Sequence, residues 1–212
     1  PIALTLLSES GLFMATMVMM GWLGPNPLAA HGIALQICSV TFMVHIGLSQ
    51  AATVRAGRAW GKGDVENLRL AALAALILSA GMVALTIFGF VVFPEPLIGL
   101  FLDPQDPLRP EILALGASLL LVAALFQLAD AGQVMALGLL RGTQDTRVPM
   151  IYALISYWGL GLPAAWVIGF PMGFDGPGIW AGLVVGLACA AGLMMTRFWR
   201  GPARAIPPLT PA

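Results

Sequence analysis

Charged side chains are scarce in this sequence. Only 9% of its 212 residues are Asp, Glu, Lys or Arg, whereas 59% are hydrophobic and the mean hydropathy is +0.91. A soluble domain carries about a quarter charged residues, so this chain has too few to cover a globular surface. We therefore predict an integral membrane protein. The formal net charge is zero, and no acidic or basic tail indicates a nucleic-acid partner.

Other features are missing too, and each absence excludes a class of function. The two cysteines, Cys38 and Cys189, both lie in apolar stretches, which excludes a disulfide framework and a CxxC metal pair. The sequence has no HExxH motif, no nucleophile elbow and no Gly-rich phosphate loop. We therefore expect neither enzyme activity nor a cofactor.

Long apolar runs are what the chain does contain, and they predict its architecture. Each is continuous over the ~20 residues that cross a bilayer as a helix, unlike the alternating strands of a membrane barrel. The predicted spans are residues 2–23, 28–54, 68–93, 111–140, 148–170 and 177–199, separated by Pro- and Gly-rich breaks. We predict an all-α six-helix bundle over residues 1–200, followed by a Pro-rich, non-helical tail at 201–212.

The basic residues predict how the spans are oriented. Nine of the ten Lys and Arg residues fall in the loops after the second and fourth spans or after the sixth span, and Arg109 alone falls on the other side. Cytoplasmic loops carry an excess of Lys and Arg, so we place the carboxyl terminus in the cytoplasm and expect a multi-pass protein of the bacterial inner membrane. Both chain ends then lie inside, as expected of half a transporter. The sequence opens on "PIALTLLSES" without Met, and we expect a fragment.

Two carboxylates, Glu9 and Asp130, lie well inside the predicted spans. An ionisable group at that depth costs ~2.5–3.5 kcal/mol and marks a functional-site hypothesis. At 1.5 Å per residue, Asp130 lies about 16 Å from Arg141 and Glu9 about 12 Å from the chain start. Both therefore reach the middle of the bilayer, and we predict that they share one cavity. There a carboxylate could exchange a proton, coordinate Na⁺ or pair with an organic cation.

Polar residues recur on the same helix faces as these acids. On the fourth span they are Gln127, Asp130 and Gln133; on the first, Thr5, Glu9 and Thr16; on the second, His31, Cys38, His45 and Ser49. Two readings are open: the groups line a cation site, or they bond to one another and hold helices together. For the two histidines we favour the packing reading. They lie about 21 Å apart along one helix, so they cannot share a metal.

Several motifs resemble those of one transporter family. They are "AAHGIALQICS" (29–39), "AATVRAGRAWGKGD" (51–64), "LGLLRGTQDTRVPM" (137–150), "SYWGLGLPAAW" (156–166) and "GIWAGLVVGL" (178–187). The chain resembles the carboxyl-terminal half of a multidrug and toxic compound extrusion (MATE) transporter of the NorM-like type. The resemblance implies one lobe of a twelve-helix, two-lobe antiporter that exports organic, mostly cationic compounds in exchange for H⁺ or Na⁺. It also implies a partner, an amino-terminal six-helix lobe that this chain lacks.

The resemblance also implies which residues form the cation site. Glu9 and Asp130 match the two acids of that lobe, and Na⁺ is the metal that they could hold. Phe126 stands where NorM-like members often have a tyrosine, so a phenolic oxygen for Na⁺ is missing while an aromatic face for a cation remains. We include Gln127 and Gln133 in the site, and we leave H⁺ and Na⁺ open as the coupling ion.

Two features of the fifth span and of the loop before it give further expectations. Pro163 cannot donate to the carbonyl of Gly159, and with Gly161 nearby we predict a bend that is either a moving part or a fixed kink. Arg141 and Asp145 lie four residues apart, which suggests a local ion pair worth only ~0.3–0.5 kcal/mol if exposed.

Alternative functions remain open on the sequence alone. A related lipid-linked oligosaccharide flippase would need a basic cavity for a pyrophosphate headgroup, yet no Lys or Arg lies deep in a predicted span. A purely structural membrane subunit would use Asp130 for packing only. A membrane enzyme would need a nucleophile or a metal cluster, neither of which the sequence indicates.

Overall fold

Eight α-helices and one π-helical segment make up the described part of the chain, residues 1–204 of the computed structural model. The helices are α1 (Ile2–Leu23), α2 (Pro25–Gly61), α3 (Val65–Val92), α4 (Pro94–Gly99), α5 (Arg109–Gly142), α6 (Arg147–Leu154), α7 (Leu162–Gly169) and α8 (Asp175–Arg200), with the π-helical segment at Ile155–Gly161 between α6 and α7. No strand occurs in these residues, and the predicted all-α class is confirmed.

Within residues 1–204, six helical segments are long and apolar enough to span a membrane: α1, α2, α3, α5, α8 and the composite segment Arg147–Gly169. Their number and order match the six predicted spans. Of the predicted tail, residues 201–204 form a turn after α8, while residues 205–212 lie outside the described part of the chain.

The helix α5 occupies the centre of the bundle. Between Ala129 and Leu140 every residue except Gly132 is buried, and α5 packs against α2, α3, α4 and α8. Helices that span a membrane are apolar on all sides wherever they lie, so the central position of α5 follows from its four packed neighbours rather than from its composition. It carries Asp130 into the middle of the protein.

Small residues bring α2 and α5 almost into backbone contact. A Cβ atom at Gly142 would lie 2.6 Å from the carbonyl oxygen of Thr53, and one at Gly138 would collide with the hydroxyl of Ser49. The two hydroxyls bond across the interface, because Ser49 Oγ donates to the carbonyl of Val134 and Thr53 Oγ1 to that of Gly138, both at 2.8 Å. Glycine and hydroxyl residues at such contacts are typical of membrane helix packing.

The helix α2 is longer than its predicted span of 28–54. It continues to Gly61 through "AATVRAGRAW", so Arg55 and Arg58 are helical rather than part of a loop. Ala is the best helix former, and Ala52, Ala56 and Ala59 form a buried face. The chain turns at Gly63, whose φ is 71°.

The next helix begins with an N-cap at Asp64, which lies outside the membrane-spanning segments. Its carboxylate accepts a hydrogen bond of 2.9 Å from the backbone N–H of Asn67. Hydrogen bonds from the Asn67 backbone and side chain hold the pKa of the Asp64 carboxyl below its ordinary value. This cap fixes where the turn after α2 ends and α3 begins.

The short helix α4 was not predicted, because "FPEP" (93–96) is one of the Pro-rich breaks between the predicted spans. Pro94 takes the first helical position, where its missing N–H costs nothing. Ile98 is fully buried and fills the space beside Gly116 of α5, where a Cβ would lie 2.9 Å from it. A tertiary contact therefore stabilises a helix too short to be evident from periodicity.

The bend predicted around Gly159, Gly161 and Pro163 corresponds to the π-helical segment. The N–H of Leu162 donates to the carbonyl of Tyr157, five residues back, which is the hydrogen bond of a π-helical turn. The next residue, Pro163, has no N–H and cannot continue the hydrogen-bond pattern. A Cβ at Gly161 would lie 3.0 Å from the Cα of Gly186, whereas one at the exposed Gly159 would meet only the Ile155 side chain, at 3.9 Å. The contact at Gly161 favours the fixed-kink reading for that residue.

We expect Gly182→Ala to destabilise the protein. A Cβ at Gly182 would overlap the backbone nitrogen of Ala165 in α7, so the two helices would have to separate at a cost of about 1–3 kcal/mol. The matched control is Gly192→Ala on the same helix, where nothing lies within 4 Å. Thermal unfolding in detergent should show a lower midpoint for Gly182→Ala alone, and equal midpoints would contradict the close α7–α8 contact.

Candidate functional site

Asp130 lies on the central helix α5 and is only 3% exposed. Its Oδ1 atom has no hydrogen-bond partner among residues 1–204. The side chain lines a cavity of about 200 Å³ together with Phe13, Leu35, Cys38, Ser39, Phe42 and Phe126. A buried carboxylate therefore faces a small chamber whose walls are mainly aromatic and aliphatic.

Glu9 lies on α1 and is partly buried. It lines a second cavity, of about 390 Å³, whose polar lining also includes Ser10, Ser49, Gln50 and Arg141. Phe13 and Phe42 line both cavities, so the two chambers adjoin. The structure thus brings the two predicted acids into adjoining chambers rather than one.

The predicted glutamines are both fully buried, but their surroundings differ. Gln127 donates through Nε2 to Thr41 Oγ1 and to the carbonyl of Cys38, so it links α5 to α2. Gln133 lies beside Tyr157, yet neither of its amide atoms has a hydrogen-bond partner in the described residues. Gln127 therefore fits the packing reading, and Gln133 does not.

Phe126 belongs to a chain of aromatic rings that runs along the Asp130 cavity. Its ring meets Phe13 edge-on with centroids 6.0 Å apart, and Trp180 of α8 with centroids 5.3 Å apart. Phe13, Phe42 and Trp180 were not singled out from the sequence. Aromatic residues in an apolar helix carry no signal of their own there, because only the packing of α1, α2, α5 and α8 brings them together.

The two histidines fit the packing reading. His31 Nδ1 accepts a hydrogen bond of 3.0 Å from Trp180 Nε1, and His45 Nδ1 lies 3.1 Å from Ser79 Oγ. Both are fully buried and each joins α2 to a different helix. Within residues 1–204 no group of three or more His, Cys, Asp or Glu side chains could hold a metal ion.

The expected ion pair between Arg141 and Asp145 is wrong. Asp145 instead pairs with Arg197 of α8, the one salt bridge among the described residues. The helix α5 ends at Gly142 and the chain then turns at Gln144, whose φ is 63°, so Arg141 and Asp145 do not lie one helical turn apart. Arg141 lines the Glu9 cavity.

Two contacts join the segments that carry most of the basic residues. The Arg197–Asp145 pair joins the end of α8 to the turn before α6. Arg69 Nε of α3 donates a hydrogen bond of 2.6 Å to the carbonyl of Ala203, just after α8. The segments that carry most of the basic residues therefore lie at the same end of the bundle.

Comparison with known proteins identifies the family. The MatE family model matches residues 1–167. The chain belongs to the MatE family. The resemblance inferred from the motifs is thereby confirmed, as is the prediction that the chain is not an enzyme.

The similar proteins agree with this assignment. The probable multidrug resistance protein NorM of Rhizobium meliloti (strain 1021) is 48% identical over 200 residues, which is 94% of this chain and 43% of that protein. The NorM of Agrobacterium fabrum (strain C58 / ATCC 33970), also described as probable, is 48% identical over 198 residues, covering 93% and 43%. A crystal structure of MATE in the bent conformation has a TM-score of 0.82 at 18% identity, covering 99% of this chain and 46% of that one, and supports the fold. The chain thus spans less than half the length of these relatives.

We expect the His31–Trp180 hydrogen bond to be worth about 1 kcal/mol in a double-mutant cycle of His31→Phe and Trp180→Phe. Phe at position 31 keeps a ring but leaves the buried indole N–H without an acceptor. The loss of unfolding free energy in His31→Phe should therefore exceed the coupling energy of the pair. The free energy of unfolding in detergent gives the cycle. Strict additivity of the two changes would contradict the bond.

Proposed function

We propose that this chain is the carboxyl-terminal lobe of a secondary active antiporter that exports organic, mostly cationic compounds in exchange for H⁺ or Na⁺. The observation that carries the proposal is the buried Asp130 carboxylate, which lines an aromatic cavity and has one oxygen without a hydrogen-bond partner among residues 1–204. The names of the relatives, multidrug resistance protein NorM, support an export function.

The lining of the two cavities favours a cation as the transported species. An organic cation can pair with a carboxylate and rest against aromatic faces, which attract positive charge. Phe13, Phe42 and Phe126 supply such faces beside Asp130. Among the described residues, Arg141 is the only basic side chain that lines either cavity, and it shares its cavity with Glu9. A flippase for a pyrophosphate-linked lipid would instead require an excess of basic groups.

Coupling follows from competition for the same carboxylates. A negative charge at membrane depth is costly unless a cation neutralises it, so an empty site favours uptake of either the coupling ion or the substrate. When the site opens to one side of the membrane, binding of the ion displaces the organic cation. Export then draws on the gradient of the ion. Glu9, Asp130 and Gln133 are the polar groups that we assign to this site.

The proposed partner is an amino-terminal six-helix lobe. Large hydrophobic side chains remain exposed along α1, α2 and α3, among them Leu7, Met14, Val40, Met43, Ile77 and Leu85. In the whole transporter these surfaces would face lipid or the other lobe. We further propose a location in the bacterial inner membrane, with the basic end of the bundle in the cytoplasm.

We expect Asp130→Asn to abolish coupling without unfolding the protein. Asn has nearly the same volume but cannot take up a proton or hold a cation by charge, so gradient-driven transport should fall by about tenfold or more. The measurement uses the full-length transporter that contains this chain, reconstituted in liposomes. Movement of a fluorescent organic cation is followed under an imposed pH or Na⁺ gradient.

The matched control is Asp175→Asn, the same chemical change at an exposed position at the start of α8. It should transport like the parent. A folded Asp130→Asn protein that still responds fully to the gradient would show that Asp130 serves packing alone. Loss of folded Asp130→Asn protein would support the structural-subunit alternative.

We expect opposite labelling of two single-cysteine variants made in a background without Cys38 and Cys189. Lys62→Cys lies in the turn between α2 and α3, and Gln105→Cys lies between α4 and α5; both positions are exposed. In intact cells a membrane-impermeant maleimide should label Gln105→Cys and should reach Lys62→Cys only after the membrane is opened. The reverse pattern would overturn the proposed orientation.

A further inference from the structure

A cavity at the basic end of the bundle lies apart from the site that contains Asp130. Its volume is about 590 Å³, and it lies between the last turns of α8 and the α6 segment opposite. Five of its lining residues come from α8, whereas Asp145 and Tyr152 come from the turn before α6 and from α6 itself. It shares no lining residue with the Glu9 and Asp130 cavities, so the proposed export site does not account for it.

The wall that α8 provides changes from apolar to basic toward the end of the helix. Gly192, Thr196 and Arg200 follow one another at intervals of four and form one row, and Leu193 and Arg197 form the neighbouring row. At 1.5 Å per residue, this wall is about 12 Å long. The headgroup region on each side of a bilayer is only about 5–8 Å thick. A wall that begins at headgroup level therefore reaches the hydrocarbon at its apolar end.

The charged groups of the cavity leave it with a positive outer end. Asp145 pairs with Arg197, which neutralises one arginine and joins α8 to the turn before α6. Arg200 is exposed, and among residues 1–204 no carboxylate pairs with it. Tyr152 is half-buried and brings a hydroxyl to the same cavity. Tyrosine is a residue typical of membrane–water interfaces, which agrees with the position of this cavity at the end of a span.

Contacts outside the cavity hold its outer end in shape. The turn after α8 supplies Gly201 and Pro202 to the lining. Arg69 of α3 donates a hydrogen bond to the carbonyl of Ala203 in this turn, and the N–H of Ala203 donates to the carbonyl of Phe198 at 3.0 Å. The outer wall is therefore fixed to α3 as well as to α8.

The inner end of the cavity is open and apolar. A Cβ atom at Gly192 would meet nothing within 4 Å, and Gly192 and Leu193 are both exposed. A small anion at Arg200 would leave this end empty, and an uncharged hydrocarbon would leave the arginine without a counter-ion. A molecule that has both an anionic head and an acyl chain fits the whole length of the cavity.

We propose that the cavity between α6 and α8 binds one anionic phospholipid from the leaflet that meets the basic end of the bundle. The phosphate pairs with the guanidinium of Arg200 and accepts a hydrogen bond from the Tyr152 hydroxyl, while an acyl chain lies along Gly192 and Leu193. Basic pockets between membrane helices are sites where anionic headgroups bind. The inference goes beyond the proposed export function and does not depend on it, because it requires only that the chain spans a membrane.

The test uses the full-length transporter that contains this chain, purified in detergent and titrated with phosphatidylglycerol or with phosphatidylcholine of the same acyl chains. Native mass spectrometry counts the bound lipids and gives the dissociation constant of the first one. We expect the parent to bind phosphatidylglycerol more tightly than phosphatidylcholine. Arg200→Gln should weaken the binding of phosphatidylglycerol by about fivefold, the change expected for one basic residue. An excess of inorganic phosphate should not displace the lipid from the parent.

The matched control is Arg58→Gln, the same loss of charge at an exposed position in the last turn of α2. Arg58 does not line the cavity, so this variant should bind phosphatidylglycerol like the parent. A second variant, Gly192→Leu, fills the apolar end without changing any charge, and it should weaken phosphatidylglycerol at least as much as Arg200→Gln does. It carries the same prediction should Arg200→Gln reduce the folded yield.

Each of the remaining outcomes would overturn the inference in a distinct way. Equal losses in Arg58→Gln and Arg200→Gln would show attraction to the overall positive charge rather than a site. Equal binding of the two lipids by the parent would exclude recognition of an anionic headgroup. Displacement by inorganic phosphate would indicate a site for a free anion. Unchanged binding in both Arg200→Gln and Gly192→Leu would place the lipid elsewhere. None of these results bears on antiport, which the liposome experiment tests separately.

Discussion

The burial of a carboxylate in the middle of a membrane helix is the constraint on which the rest of this structure depends. An acid at that depth is tolerated only where neighbouring protein shields it from lipid or where it meets a polar space. The central helix α5 meets this requirement, because α2, α3 and α8 pack against it. Glycines and hydroxyl groups at the α2–α5 contact allow the close approach. The close packing of small residues thus allows neighbouring helices to shield the acid from lipid.

The surroundings of Asp130 combine an apolar chamber with a second buried polar residue of the same helix. Phe13, Phe42 and Phe126 line the chamber, and their aromatic faces suit an organic cation. Gln133, nearly one turn farther along α5, is fully buried and its amide has no hydrogen-bond partner among residues 1–204. The proposed exchange of substrate and coupling ion would take place at the carboxyl group in these surroundings.

The sequence predicted the elements of this protein well and their contacts less well. Six apolar runs indicated six spans, and the depth of Glu9 and Asp130 followed from counting residues along a helix. The extension of α2 to Gly61 and the existence of α4 were missed, because the buried Ala56 and Ile98 stabilise helix in two segments whose charged and Pro-rich sequences predicted loops. The cavity between α6 and α8 was missed for another reason. Asp145 and Arg197 lie 52 residues apart in the sequence, and only the packing of the helices brings them together.

The glycine contacts between the fifth and sixth spans have a mechanical consequence. Gly161 with Gly186, and Gly182 with Ala165, leave no side chain between the two backbones that could slide or repack. We expect two helices in such close contact to move as one unit. The hydrogen bond from Trp158 to Ser8 joins this pair of helices to α1. A displacement of α1 relative to these two helices would therefore act on this hydrogen bond, one residue away from Glu9.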